Sequence, residues 1–144
     1  MEPAILGIVL DSSVLIAAER RKFTAAQVIE NVMQKVGAVP IILSAMTVAE
    51  VGHGIYRANT PEIRERRRAF LDELKATIPV HSVTEATAEI IARVGGEQAA
   101  KGINLPLADL IIGACALELG YAIGTDNTRD FDRIPDLNFG AFGK

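Results

Sequence analysis

Four acidic residues, Asp11, Glu50, Asp109 and Asp126, stand where an uncompensated charge would be expensive or pointed. Asp11 ends the apolar run AILGIVL (4–10) and is followed by a second apolar stretch, and Asp126 follows the run YAIGT (121–125). Asp109 is the only charged residue in the first three turns of an apolar segment that Pro106 opens, and Glu50 lies in the first turns of the segment after VPIIL (39–43). No Lys or Arg lies within three residues of Asp11, Glu50 or Asp109. Two unit charges ~4 Å apart repel by roughly 4 kcal/mol at an effective dielectric near 20, so carboxylates sharing a pocket either take up protons or bind a cation. An all-oxygen donor set suits Mg²⁺ or Mn²⁺, and nothing near these acids offers zinc its usual His and Cys ligands. Each acid also has an ordinary structural reading. Asp11 can cap a helix starting at Ser12, and Thr47-Val48-Ala49-Glu50 fits a capping box. Asp109 can answer a helix dipole, and Asp126 can be a turn residue. Only their joint placement points to a site.

That placement depends on the elements between them. Apolar runs 4–10, 39–43, 80–83 and 121–124 read as short buried strands, with 138–142 (NFGAF) as a last one. Between them lie helical patterns. The first closes at Arg20-Arg21-Lys22. The second is capped by Thr24 with Gln27 three residues on, and Gly37 stops it. A third carries Val48, Val51 and Ile55 and fades at Asn59; a fourth runs from Pro61 to Pro79 with the stripe Ile63, Phe70, Leu71, Leu74. A fifth follows Thr84 and is expected to kink at Gly95-Gly96. The last, Pro106 to Leu119, is apolar on nearly every face, reads as buried on all sides and is closed by Gly120. Strands alternating with helices imply βαβ units and a mostly parallel sheet covered by helices, a single α/β domain spanning 1–144. In such sheets sites form beyond the carboxyl ends of the strands, where all four acids can meet.

Composition sets the outer bounds. The chain is 49% hydrophobic with a net charge of −3, so no global field draws it to nucleic acid, and the apolar surplus points to buried helices, a subunit interface, or both. No apolar run reaches the ~18–20 residues that cross a bilayer. The start Met1-Glu2-Pro3 is not that of a signal peptide, and a single cysteine, Cys115, forms no intrachain disulfide, so a cytoplasmic protein is expected.

The stretches VLDSSVLIAAE, LSAMTVAEV, LPLADLIIGACALELG and GTDNTRDFDRIPDL, in this order and spacing, resemble the PIN-domain nucleases, and among them the VapC-type toxins of toxin–antitoxin pairs. The resemblance implies a Rossmann-like α/β/α fold, Mg²⁺- or Mn²⁺-dependent cleavage of RNA by metal-activated water, a VapB-like antitoxin as partner, and a homodimer. On it, Asp11, Glu50 and Asp109 fall on the three acidic positions of the family, and Asn127 and Phe131 fall on a T-x-N-x-x-x-F segment. The fourth acid is either Asp126, ranked first for its place at a strand end, or Asp130 inside that segment. Ser12 and Thr125 are hydroxyls that would orient ligands or water, and Asp132 is read as solvated. His53, three residues from Glu50, is read as a surface histidine, His81 has no assigned role, and Cys115 is a core residue. The basic run Arg64-Glu65-Arg66-Arg67-Arg68 is either a solvated helix face or a rim, through Arg64, Arg67 and Arg68, for RNA phosphates, antitoxin or second subunit.

Two further classes compete with the nuclease. A phospho-receiver domain is also α/β with acids at strand ends, but it needs an acidic pair after the first strand and a late lysine. Here VPIIL ends at Ser44 and YAIGT is followed by Asp126. A catalytically silent PIN-like binding module would not need the acids that this chain retains.

Overall fold

The computed structural model describes residues 5–143. Four short parallel strands, β1 (Ile8–Leu10), β2 (Ile41–Ser44), β3 (Val80–His81) and β4 (Ala122–Gly124), form one sheet in the order β3-β2-β1-β4. Six helices accompany them: α1 (Ser12–Arg20), α2 (Ala25–Val36), α3 (Ala45–Tyr56), α4 (Pro61–Thr77), α5 (Glu85–Ala100) and α6 (Leu107–Leu119). Residue 4, expected to begin the first strand, lies outside the described residues. The alternation of side chains along β1 divides the core. Ile8 and Leu10 pack with Leu43 against α1 to α4, through Leu15, Val28, Val51, Phe70 and Leu74. Val9 faces the other way with Ile123, against Val94, Leu110, Ile112 and Cys115 of α5 and α6. The result is the expected α/β/α layering with every strand pair parallel.

Local chemistry explains most boundaries. Thr24 and Gln27 form the reciprocal capping box that begins α2. Thr60 caps α4 with Pro61 in its first turn, and Thr84 caps α5 together with Thr87. Helix α6 is buried through Leu110 and Ile112 to Ala116, whereas Leu107 in its first turn is 65% exposed. That end faces solvent.

Three expectations are corrected. The segment 138–142 is not a strand. Asn138 accepts one backbone bond from Ile123 of β4 at 2.7 Å. The chain then turns at Gly140, φ +55°, into a short 3₁₀ helix, Gly140–Gly143. Gly95-Gly96 does not interrupt α5, because Gly95 serves packing: a Cβ there would meet Leu110 Cδ2 at 2.8 Å, so its absence lets α6 approach. The capping box Thr47–Glu50 does not form. Helix α3 starts directly after β2, with Ser44 Oγ accepting from Met46 N–H. Thr47, fully buried, instead donates to Leu10 O at 3.0 Å and ties α3 to the end of β1.

Candidate active site

The chain leaves β1 at a point where the strand order reverses: β2 and β3 lie on one side and β4 on the other. This is the crevice position at which open parallel sheets place ligands. Asp11 sits there, 5% exposed, with its N–H bonded to Gly124 O of β4 at 2.8 Å. It occupies the N-cap position of α1, yet its side chain makes no capping bond. Asp11 Oδ2 instead accepts from Ser13 Oγ at 2.8 Å and from Thr125 Oγ1 at 3.0 Å. Thr125 is 2% exposed and also receives Asn127 N–H at 3.0 Å, which folds the chain after β4 over the strand end. Neutral hydroxyls orient the Asp11 carboxylate and leave its charge uncancelled.

Glu50 is presented by the second turn of α3. Ser12 Oγ donates to its Oε1 at 3.0 Å, so the hydroxyl at residue 12 holds Glu50. Burial raises the Glu50 pKa above the ordinary carboxylate value, the Ser12 bond opposes this, and the negative Asp11 adds to it. Asp109, in the first turn of α6, is pushed up to about 6, first by burial and then by the charges of Asp130, Asp11 and Glu50. Those three causes identify the cluster. Four acids share one field, and among the described residues none of them forms an ion pair.

Asp130 lies in the 3₁₀ turn Thr128–Asp130 after β4, and its charge acts on Asp109 more strongly than that of Asp11 or Glu50. Asp126, ranked first from its strand-end position, is not among the charges that act on Asp109. Its backbone N–H is bonded to Ser13 Oγ at 3.1 Å, and the exposed residue lines a separate cleft beside Arg21 and Lys35. Asn127 is exposed, and Phe131 is fully buried as the anchor of that turn. Ser13 was missed in the sequence reading. The doublet Ser12-Ser13 was its signal, since successive helical residues point in different directions and can serve two acids.

The donor chemistry fits a hard divalent cation: carboxylate oxygens in excess, an unanswered negative field and, among the described residues, no lysine, arginine or histidine bonded to the set. Among the described residues no three of these acids converge tightly enough to enclose an ion by themselves.

Arg64 donates to Ala58 O, Arg66 and Arg67 reach Glu19 at 3.2 and 3.6 Å, and Arg67 also donates to Gly54 O at 2.8 Å. Arg68 pairs with Asp72 and donates to Tyr56 Oη. The run on α4 therefore pins α4 to α1 and α3, and only Arg67 borders the site. His53 is exposed and lines the groove next to Glu50. His81 Nε2 lies 3.4 Å from Glu118. Burial pushes the Cys115 thiol up to about 12, with the charge of Glu118 adding to it, which leaves it unreactive in the core.

The PIN domain family profile matches residues 8–137. A ribonuclease VapC of Rickettsia bellii is 27% identical over 132 residues, covering 92% of this chain and 93% of that protein. Among solved structures, VapBC2 from Rickettsia felis bound to a DNA fragment from its promoter superposes with a TM-score of 0.78 at 19% identity, over 92% of this chain and 96% of the other. VapBC-5 from Mycobacterium tuberculosis, a member of the VapBC family of toxin–antitoxin systems, gives 0.69 at 26% identity, over 95% of both chains.

Proposed function

The chain belongs to the PIN domain family, and from that premise we propose that it is a single-domain endoribonuclease toxin that cuts RNA with a divalent cation. The observation that carries this reading is the shared, uncompensated field of Asp11, Glu50, Asp109 and Asp130, which holds Asp109 at a pKa of about 6. Relatives named ribonuclease support RNA as the substrate. Mg²⁺ or Mn²⁺ would be held by Asp11 and Asp109 with help from Glu50 and Asp130. When bound it would polarise a phosphate and lower the pKa of a water for in-line attack.

The protein's own part is orientation and charge. Ser13 and Thr125 fix the Asp11 carboxylate on a rigid strand end, and Ser12 fixes Glu50. Thr47 holds the helix that carries Glu50 to the strand that carries Asp11. Burial and the charges of Asp130, Asp11 and Glu50 push the Asp109 carboxyl up to about 6, so a cation held there would displace a proton. No histidine base is required.

Solved neighbours include toxin–antitoxin complexes, which supports a VapB-like antitoxin that silences the chain; the apolar composition supports a homodimer and the single cysteine a reducing cytoplasm. Among the described residues no helix is long and apolar enough to cross a membrane. The test is cleavage of a mixed panel of structured and single-stranded RNAs with Mg²⁺, with Mn²⁺ and with EDTA, beside Asp109→Asn. Cutting that needs both metal and Asp109 is expected; cutting that persists in EDTA would refute it. Sedimentation tests the dimer, which a monomer at micromolar concentration would exclude.

A further inference from the structure

Helices α1 and α3 both begin at the acid site and pack side by side. Ser12 and Glu50 are joined there by a 3.0 Å hydrogen bond. Together with α4, which adds Arg67, the two helices line a groove of about 520 Å³, with Ser12, Ile16 and Arg20 on the α1 side, Glu50, His53 and Arg57 on the α3 side, and Glu19 paired with Arg67. These positions follow helical spacing, so each wall is one continuous stripe. At ~1.5 Å per residue the groove carries its charge from Glu50 at one end to Arg20 and Arg57 about 10–12 Å away.

The arginines differ in their engagement. Arg66 and Arg67 are held by Glu19, itself 8% exposed, and Arg67 is further fixed on Gly54 O. Arg20 and Arg57 are exposed, and among the described residues neither guanidinium makes an ion pair or a side-chain hydrogen bond. Two unpaired cations at the far end of a groove that starts at a carboxylate cluster, on a chain of net charge −3, are placed for anions strung at intervals along a polymer.

We propose that the α1–α3 groove is the RNA path on one side of the scissile bond, with Arg20 and Arg57 binding phosphates that flank the one presented to the acids. This rests on the reading of the chain as a ribonuclease and adds to it a direction for the strand and two positioning residues. Arginine suits the task because its fork donates in pairs to phosphate oxygens. The anchor would hold the strand in place against the repulsion of the acids. The arginines of α4, which the sequence marks as the basic patch, contribute rigidity instead.

The test is binding of a fluorescent single-stranded RNA by the full chain carrying Asp109→Asn, followed by anisotropy against KCl concentration at fixed Mg²⁺. Each arginine neutralising one phosphate contributes about 0.7 to the slope of log K against log salt on a single strand. Arg20→Ala with Arg57→Ala should make the slope shallower by about 1.4 and weaken binding on the order of 10-fold at low salt. The two Lys variants should recover most of the slope, and Arg93→Ala, on the exposed face of α5, should leave it unchanged. Thermal unfolding confirms that the variants fold. An unchanged slope in the double Ala variant, with RNA still bound, overturns the groove assignment alone. Loss of an acidic peptide ligand without change in RNA binding overturns it in favour of a protein partner. Failure of every variant, and of the unmodified chain, to bind or cut RNA overturns the ribonuclease reading as well.

Discussion

Asp109→Asn should stabilise the cation-free protein at neutral pH while removing its activity. In the folded chain the Asp109 carboxyl titrates at about 6, against an ordinary 3.8, because burial and the charges of Asp130, Asp11 and Glu50 disfavour its ionised form. The sign follows from proton linkage. Between pH 4 and 6 the folded state retains a proton that the unfolded state has released, so stability falls as pH rises through that window and stays lower above it. A shift of about two units sets a ceiling of about 3 kcal/mol. The side chain is only half-buried, and solvent screening reduces the expected effect to about 1 kcal/mol. Asparagine keeps the shape of the neutral acid and removes the penalty, so its Tm in EDTA should exceed that of the parent by about 3 °C at pH 7.5. The two should melt together at pH 4. The assay is thermal unfolding of both proteins across that pH range. Equal differences at pH 4 and 7.5, or a variant less stable than the parent at pH 7.5, would refute the argument that Asp109 stands in an uncompensated negative field.

The same geometry yields further predictions. Asp130→Asn should lower kcat/KM by about 10- to 100-fold, the range for groups that tune a metal site, and should also bring the Asp109 pKa down, as read by carboxyl NMR titration. Asp126→Asn should change neither quantity. Thr125→Val keeps the shape but deprives Asp11 Oδ2 and Asn127 N–H of their partner. It should cost about 2 kcal/mol in urea unfolding and lower kcat without a matching rise in KM. Thr47→Val removes the buried tie between α3 and Leu10 O and should cost about 1 kcal/mol by the same measurement.

What could be read from the sequence was what neighbouring residues decide. Short apolar runs gave the four parallel strands, and Asp11 follows its strand so directly that its place at the sheet's carboxyl edge was readable. The cap at Thr24 and the helix start at Pro61 were equally local. The placement of Asp126 and Asp130 was not, because it depends on which way the chain turns after β4, and that turn is held by the Thr125 hydroxyl within it and by Ser13 reaching across from α1. The partner of the basic run on α4 was not legible for a similar reason: Glu19, the acid that holds Arg66 and Arg67, lies 47 residues before Arg66. Arg20 and Arg57 drew no notice as single charges, since only the packing of α1 on α3 brings them to one groove. Gly95 was read through local propensity alone, and 138–142 as a strand without regard to Gly140. In the fold Gly95 answers to the approach of Leu110, and Gly140 to a turn that ends pairing beside β4.

The account stands on the acids being a cation site, and calorimetric titration of the EDTA-treated protein with Mn²⁺ and Mg²⁺ tests that most directly. At pH 6 the parent should take up the ion and release protons, because Asp109 is about half protonated there. Affinity should rise toward pH 7.5, and Asp109→Asn should lose most of it. No uptake by the parent at millimolar ion, or uptake that is indifferent to Asp109 and to pH, would contradict the account.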